Sequence, residues 1–257
     1  MLEIIAENAQ GTQLKFSEHT EYAVTKVTGI NPPNANINTS ELATMDGSIF
    51  NSAFLQNRNI VLTIYPQNDI ESARIYLYGF FRTKKYIKLY FKNGSRNVWI
   101  DGRVESIAVD PYSDKENLQI SVICPNPWLK DVTVTETTLS GSTTVKNNSD
   151  DEVGLVATVT ITGAAQGFTL ANATNGQSFT VDYTFQSGDK LTLNTRRGEK
   201  RVSLLRNGET INLLNYIDLG SKWVSLEIGN NSLSFTATSG AGNMSCKVAV
   251  QTIYEGM

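Results

Sequence analysis

Along most of the chain apolar and polar residues alternate, the spacing of a strand that buries one face. Ile60, Leu62 and Ile64 alternate with Val61, Thr63 and Tyr65, and Ile87, Leu89 and Phe91 alternate with Lys88 and Tyr90. Val98, Ile100, Gly102 and Val104 alternate with Trp99, Asp101, Arg103 and Glu105, and Leu118, Ile120 and Val122 follow the same rule. The second half repeats the pattern in Phe179-Val181-Tyr183-Phe185, in Leu191 with Leu193 and in Val202 with Leu204. It recurs in Val224 with Leu226 and Ile228, and in Leu233 with Phe235. These runs predict half-buried strands of antiparallel sheets. Asn93-Gly94 and Asn207-Gly208 stand between strands and supply the positive φ values of a tight I′ turn. Arg197-Gly198 and Gly188-Asp189 are looser forms of the same signal.

Two segments break the period. Asn68 to Phe80 reads as a helix: Asn68 and Glu71 have capping-box spacing, and Ile70, Ala73 and Leu77 fall on one face. Asn31 to Gly47 carries Pro32-Pro33 and the polar residues Asn34, Asn36, Asn38, Thr39 and Ser40. With no core-facing stripe it reads as a long extended loop or arm. Pro125 and Pro127 end the strand 118–124, and beyond them the composition shifts to Thr, Asn, Ser and Gly. A domain boundary near residue 130 follows, dividing the chain into 1–130 and 131–257. The fold class is mainly β.

The 257 residues are 40% hydrophobic and 18% charged, enough apolar surface for real cores. No run reaches the roughly 20 apolar residues of a membrane span. The acidic start Met1-Leu2-Glu3-Ile4-Ile5-Ala6-Glu7 is too short in apolar length for a signal peptide, so folding in a cytoplasm is expected. Cys124 and Cys246 lie far apart and outside any CxxC pair, as expected of buried free thiols. Up to Lys130 there are 13 basic and 13 acidic residues, and after it 9 and 12, which gives the net −3. Neither half has the basic excess of a dedicated nucleic-acid binder.

Candidate chemistry is sparse. The one histidine, His19, sits in the polar context Ser17-Glu18-His19-Thr20, where a solvated surface side chain is expected. One histidine and two distant cysteines exclude the common zinc patterns. Gly240-Ala241-Gly242 lacks the rest of a dinucleotide fingerprint and reads as a turn. Asp101 with Glu105 is a possible glycosidase pair and Asp150-Asp151-Glu152 a possible hard-cation site. The plainer reading is a solvated strand face and a charged loop. Trp223, Tyr216, Phe179 and Tyr183 together suit the stacking surface of a carbohydrate-binding module. From Arg82 to Arg103 the basic residues Arg82, Lys84, Lys85, Lys88, Lys92, Arg96 and Arg103 face only Asp101, with Tyr86, Tyr90 and Trp99 interleaved. That stretch suits either a nucleic-acid face or a contact with an acidic partner.

Several runs, taken in order, resemble the distal tail proteins of tailed bacteriophages. They are Val27-Thr28-Gly29-Ile30-Asn31-Pro32-Pro33, Asp46-Gly47-Ser48-Ile49-Phe50 and Arg58-Asn59-Ile60-Val61-Leu62-Thr63-Ile64. Asp101-Gly102-Arg103-Val104-Glu105-Ser106 follows, then Leu118 through Trp128. In the second half they are Ser187 through Thr195, Trp223 through Asn231, and Tyr254-Glu255-Gly256. The resemblance implies an N-terminal β-barrel with one helix that forms a homo-hexameric ring, and a C-terminal galectin-like β-sandwich. It implies a virion protein at the distal end of the tail with no catalytic residues, cofactor or metal. The implied partners are the tail-tube protein, the tail-tip hub protein and receptor-binding or baseplate proteins, with DNA passing through the ring. Specific nucleic-acid binding and membrane association are not expected. Lys84, Lys85, Lys88, Lys92 and Arg96 are the candidate protomer or partner interface. A carbohydrate-binding module or a tail-associated glycosidase is the alternative.

Overall fold

The computed structural model describes residues 2–17, 21–44, 46–67, 69–109 and 117–257. His19 and Asn68 lie outside the described residues. The chain divides into two compact units, Met1–Val132 with Tyr254–Met257, and Thr133–Ile253.

In the first unit the strands are β1 (Glu3–Asn8), β2 (Gln13–Phe16), β3 (Tyr22–Thr28), β4 (Ala35–Glu41), β5 (Ser48–Leu55) and β6 (Arg58–Pro66). Helix α1 (Ile70–Phe80) comes next, then β7 (Tyr86–Lys92), β8 (Asn97–Val109), β9 (Leu118–Cys124) and the start of β10 (Leu129–Leu139). Seven of these strands pair antiparallel in the order β2-β1-β7-β8-β9-β6-β3, with Lys130 and Asp131 of β10 beside Trp99 and Val98 of β8. The alternation fixes the register. Ile4 lies opposite Phe91 and Phe91 opposite Val98, while Ala6, Leu89 and Ile100 form the next row. Ile60, Leu62 and Ile64 meet Val122, Ile120 and Leu118 in the same way. All these side chains are buried and make one core.

Among the described residues no ladder joins β3 to β2, so the expected barrel is an open sheet rather than a closed one. Helix α1 packs against both free edges. The Phe81 ring just beyond it lies 6.2 Å from Phe16 of β2, and Tyr76 stacks 6.0 Å from Tyr22 of β3. Covering an edge with a helix is a standard way to shield unpaired strand groups. Asp69 caps α1: its carboxylate accepts from the Ser72 backbone N–H at 3.4 Å and from the Ser72 hydroxyl at 2.6 Å.

One of the two turn expectations changes. Asn207 and Gly208 have φ of 51° and 84°, as a I′ turn requires. Asn93 is instead the first residue of a four-residue loop, and its side-chain oxygen accepts from the N–H groups of Ser95 and Arg96. Asn31–Gly47 is not a plain loop either. Residues Ala35–Glu41 pair with Ser48–Leu55 as a separate two-stranded ribbon, with a bulge between Asn38 and Thr39.

The second unit holds the rest of β10 and β11 (Thr143–Asn147), β12 (Val153–Ile161), β13 (Ala165–Asn172), β14 (Gln177–Phe185) and β15 (Lys190–Asn194). It continues with β16 (Arg201–Arg206), β17 (Glu209–Asn212), the short β18 (Ser225–Leu226), β19 (Gly229–Thr236) and β20 (Met244–Tyr254). One sheet runs β10-β20-β12-β15-β16-β17 and the other β11-β19-β13-β14. Leu155, Val159, Leu193 and Val248 of the first meet Phe168, Leu170, Val181 and Leu233 of the second in one core, a β-sandwich. The alternation over Val224–Ile228 stops short: Val224 and Leu226 are buried, but Ile228 is exposed next to Gly229 at φ 94°.

Gly102, in the middle of β8, has no room for a side chain. A Cβ there would lie 2.5 Å from the Ile123 carbonyl oxygen and 2.9 Å from Cys124 Sγ. Gly102→Ala should therefore destabilise the protein by about 1–3 kcal/mol in urea unfolding. Gly94→Ala, where nothing lies within 4 Å, should change it by less than about 0.5 kcal/mol.

Candidate interaction surface

The outer face of β1, β7 and β8 carries Lys88, Lys92 and Arg103 of the basic stretch. Opposite residues of antiparallel strands share a face, so Glu3 stands beside Lys92, and Glu7 beside Lys88 and Asp101. Lys88 Nζ lies 3.9 Å from the centre of the Trp99 ring and 4.8 Å from that of Tyr90. Lys130 Nζ sits 4.5 Å from the same Trp99 ring and 3.6 Å from Asp101. Lys15 bonds Glu3 at 2.7 Å, and the Tyr90 hydroxyl donates to Glu7 at 3.1 Å. The Lys15 ammonium holds the Glu3 carboxyl below its ordinary value. A shallow groove of about 290 Å³ crosses this face, lined by Glu3, Ile5, Gln13, Tyr90, Lys92, Asn97 and Val132.

The five candidate residues do not gather into one patch. Lys84 and Lys85 stand just before β7, and Lys92 and Arg96 at its other end, on the order of 20 Å away at the rise of a strand. Lys88 is half-buried in its aromatic cage. Arg96 lies over the Tyr254 ring, with its guanidinium 4.2 Å from the ring centre, and donates to the Gly256 carbonyl. Lys84, Lys85 and Lys92 are exposed.

The β4–β5 ribbon presents several large apolar side chains to solvent. Every residue of it is exposed except the half-buried Leu55. Ile37 is 64% exposed, Phe50 62% and Phe54 53%. Polar side chains bridge its strands: Asn38 donates to Ser52 at 2.9 Å, Asn51 to Ser40 at 2.7 Å, and Gln56 to Asn36.

The root of the ribbon depends on Arg58, which sequence reasoning did not single out. Its side chain is 3% exposed. Nε donates to the Pro127 carbonyl at 2.8 Å, Nη1 to those of Gly29 and Asn31 at 2.8 Å each, and Nη2 to that of Glu255 at 2.6 Å. Burial pulls its pKa below the ordinary arginine value, but a guanidinium keeps its proton in proteins. The only sequence signal was a charged residue heading an apolar strand.

The carboxylates singled out in the sequence do not gather into a site among the described residues. Asp101 and Glu105 are four positions apart along β8, about 13 Å at the rise of a strand, too far for either glycosidase geometry. Asp101 faces Lys130, and Glu105 accepts from the Ser121 hydroxyl at 2.7 Å. Among the described residues no group of three or more His, Cys, Asp or Glu side chains could hold a metal. No helix among them is long and apolar enough to cross a membrane. Cys124 and Cys246 are both buried and free, and burial pushes each thiol up to about 12.

The aromatic cluster of the second unit is filled from within. Trp223 packs 4.6 Å from Phe179, and Tyr216 meets Tyr183 edge-on at 4.8 Å. The Arg206 guanidinium lies 5.5 Å from the Tyr183 ring centre and grips Asp189 at 2.8 and 2.6 Å. Phe179 is buried and Tyr183 and Trp223 are half-buried, while Tyr216 is 46% exposed, so the four rings do not share one open stacking face.

Residues 9–124 match the family described as a phage tail protein RIFT-related domain, and residues 148–252 match the siphovirus-type tail component, C-terminal domain. Fold and matched stretches together define a structural component of a phage tail. The chain belongs to the distal tail protein family of tailed bacteriophages. No curated protein matches it. The solved structure of SPP1 Dit, described as a paradigm of the hub adsorption apparatus in phages infecting Gram-positive bacteria, is similar over 98% of this chain and 99% of its own. Its TM-score is 0.76 at 17% identity. A chain of the phage P2 baseplate, activated with Ca, is similar over 100% of both chains, with a TM-score of 0.55 at 8% identity. At these identities the likeness is one of fold.

The Asp189–Arg206 pair gives the second unit a pH dependence. The Arg206 hydrogen bonds hold the Asp189 carboxyl below its ordinary value despite burial. A depressed folded pKa adds stability that is present above the unfolded value near 4 and is lost as pH falls through the folded one. Urea midpoints should therefore drop below about pH 4, and Asp189→Asn should flatten that drop while lowering the midpoint at pH 7.

Proposed function

We propose that this chain is a ring-forming hub: copies close head to tail into a hexamer that joins the tail tube to the tail-tip hub and carries receptor-binding or baseplate proteins. The observation that carries this reading is the exposed β4–β5 ribbon. An isolated two-stranded ribbon is marginal in water, and this one presents Ile37, Ile49, Phe50 and Phe54 to solvent. A second copy that covers it supplies the missing buried face. A contact between two different surfaces repeats around a closed ring when its rotation suits. The number six rests on the family resemblance. The first unit is the ring-forming part, and the second stands as a separate sandwich available to other tail proteins. The protein acts without catalysis, is assembled in the host cytoplasm and ends at the distal end of the virion tail.

Charge supports the choice of face. Between Lys26 and Arg58 the chain has no basic residue, only Glu41 and Asp46. Lys84, Lys85 and Lys92 are exposed cations of the kind that would meet such an acidic ribbon, while Lys88 and Arg96 support the face from within. A ring that lets DNA pass should not grip it. Six copies of a free basic stretch facing the lumen would release many counterions and hold DNA tightly. The lumen is therefore assigned to other residues.

Native mass measurement of the full chain should give roughly six times 28.3 kDa at high protein concentration. The combined variant Ile37→Ser, Phe50→Ser, Phe54→Ser should remain a folded monomer, since these side chains belong to neither core. A wild type that stays monomeric at every concentration and on purified tail tubes sinks the ring. Lys84→Glu with Lys85→Glu should weaken closure, more so at low salt, where exposed charges reach further. Tight duplex-DNA binding that this pair of substitutions abolishes, with assembly intact, would restore the nucleic-acid reading.

A further inference from the structure

The chain leaves the first unit after Val132 and returns to it at Tyr254. The returning residues lie on the root of the ribbon. The root has almost no sheet ladder of its own, yet three successive carbonyls there are all engaged. Those of Gly29 and Asn31 accept from Arg58, and that of Ile30 accepts from the Met257 N–H at 3.1 Å. Arg58 also holds the Glu255 carbonyl, so the same guanidinium binds the root and the returning segment together. Arg96 adds a second anchor through the Tyr254 ring and the Gly256 carbonyl, and the Tyr254 hydroxyl donates to Asp131 at 3.2 Å. Gly256 lies so close to the root that a Cβ there would stand 2.9 Å from Pro32 Cδ.

We infer that residues 254–257 are a strap, locked by Arg58 and Arg96, that sets the direction in which the β4–β5 ribbon leaves the first unit. The strap continues β20, whose Met244–Val250 pair with β12 inside the second unit. Completing the second unit therefore delivers the strap. Until then the root carbonyls lack the Met257 donor, Arg58 lacks one of its acceptors, and the ribbon swings about residues 29–34. A chain that is only half folded presents its apolar ribbon without a fixed aim, and the fully folded chain presents it pre-set. The coupling is conformational and needs no ligand.

The test reads the distance between spin labels at Ala53→Cys on β5 and Gln119→Cys on β9, both exposed. Cys124 and Cys246 are buried and stay unlabelled. Labelled protein is diluted into unlabelled wild type and measured at a concentration where the native mass is that of the monomer, so that only distances within a protomer count and a covering neighbour does not order the ribbon. One narrow distance is expected in the parent. Two variants release the strap: a chain ending at Ile253, and Gly256→Val, which forces the strap off Pro32. Both should at least double the width of the distance distribution while the circular dichroism of the strands is kept. An unchanged width in both variants overturns the proposal, as does a parent distribution that is already broad. Loss of fold in both variants also overturns it, because the strap would then be part of the core rather than an aiming device.

Discussion

Arg58 gathers three stretches of chain that no sheet ladder joins to one another. Gly29 and Asn31 come from the ribbon root, Pro127 from the segment after β9, and Glu255 from the returning strap. Each offers a carbonyl oxygen to the buried guanidinium, whose N–H groups would cost about 1–3 kcal/mol apiece if left unpaired. A planar guanidinium with five N–H donors satisfies all four at once. A lysine ammonium has three donors on one atom and cannot reach acceptors spread around a plane. The charge itself is expensive to bury, and the carbonyl dipoles offset that expense. Substituting Arg58 would lose the charge and strand its acceptors together.

That hub lets the first unit do two opposed things. Its sheet closes a core by strict alternation, from Ile4 and Ala6 on β1 through Leu89 and Ile100 to Ile60 and Val122. Its ribbon, rooted at the same hub, gives up a core altogether. On the outer sheet face the charges are matched where they stand. Lys15 and Lys92 flank Glu3, Lys130 faces Asp101, and Lys88 lies against Trp99 and Tyr90. Exposed pairs of this kind add little stability. They do remove the single-signed field that the basic stretch would otherwise create. The basic stretch read along the chain and the same stretch read across strands therefore have different electrostatics.

The strands of the second unit, the inward residues of β6 to β9 and the helix after Pro66 were legible because each is set by neighbours in sequence: a period of two, a run without it, a Pro boundary; the sandwich itself came from the family resemblance. The ribbon was half legible. Its lack of a core-facing stripe was visible in Asn34 to Ser40, but the pairing of Ala35–Glu41 with Ser48–Leu55 was not, since pairing without burial leaves no hydrophobic period to read. The open barrel was hidden for a related reason: closure depends on whether β2 and β3 meet, which no local pattern records. The cap moved by one residue to Asp69, within the usual latitude of helix ends. Arg58 and the strap were invisible because their partners are backbone carbonyls 27 to 197 positions away, and a carbonyl belongs to every residue type. The five lysines and arginines were visible as a cluster in sequence, but β7 spreads them along its length.

An exposed ribbon is useful to an assembly only if it is shaped before its partner arrives. Ordering a floppy segment at the moment of binding would subtract its conformational entropy from the contact. Here the ordering is in place beforehand. The Asn38–Ser52, Asn51–Ser40 and Asn36–Gln56 bonds pin the register from side to side, which backbone pairing alone would leave free to slip. The Gln56 N–H donates to the Asn34 carbonyl at 2.8 Å and closes the base of the ribbon, just above the carbonyls held by Arg58. The bulge at Asn38–Thr39 adds twist that keeps the outer edges from stacking flat on those of another ribbon. The amides that pin the register interrupt the run of Ile37, Phe50 and Phe54 along the ribbon, so it is apolar enough to bind and too mixed to aggregate without direction. Shape, register and root are thus settled inside the protomer, and what a partner has to supply is the buried face alone.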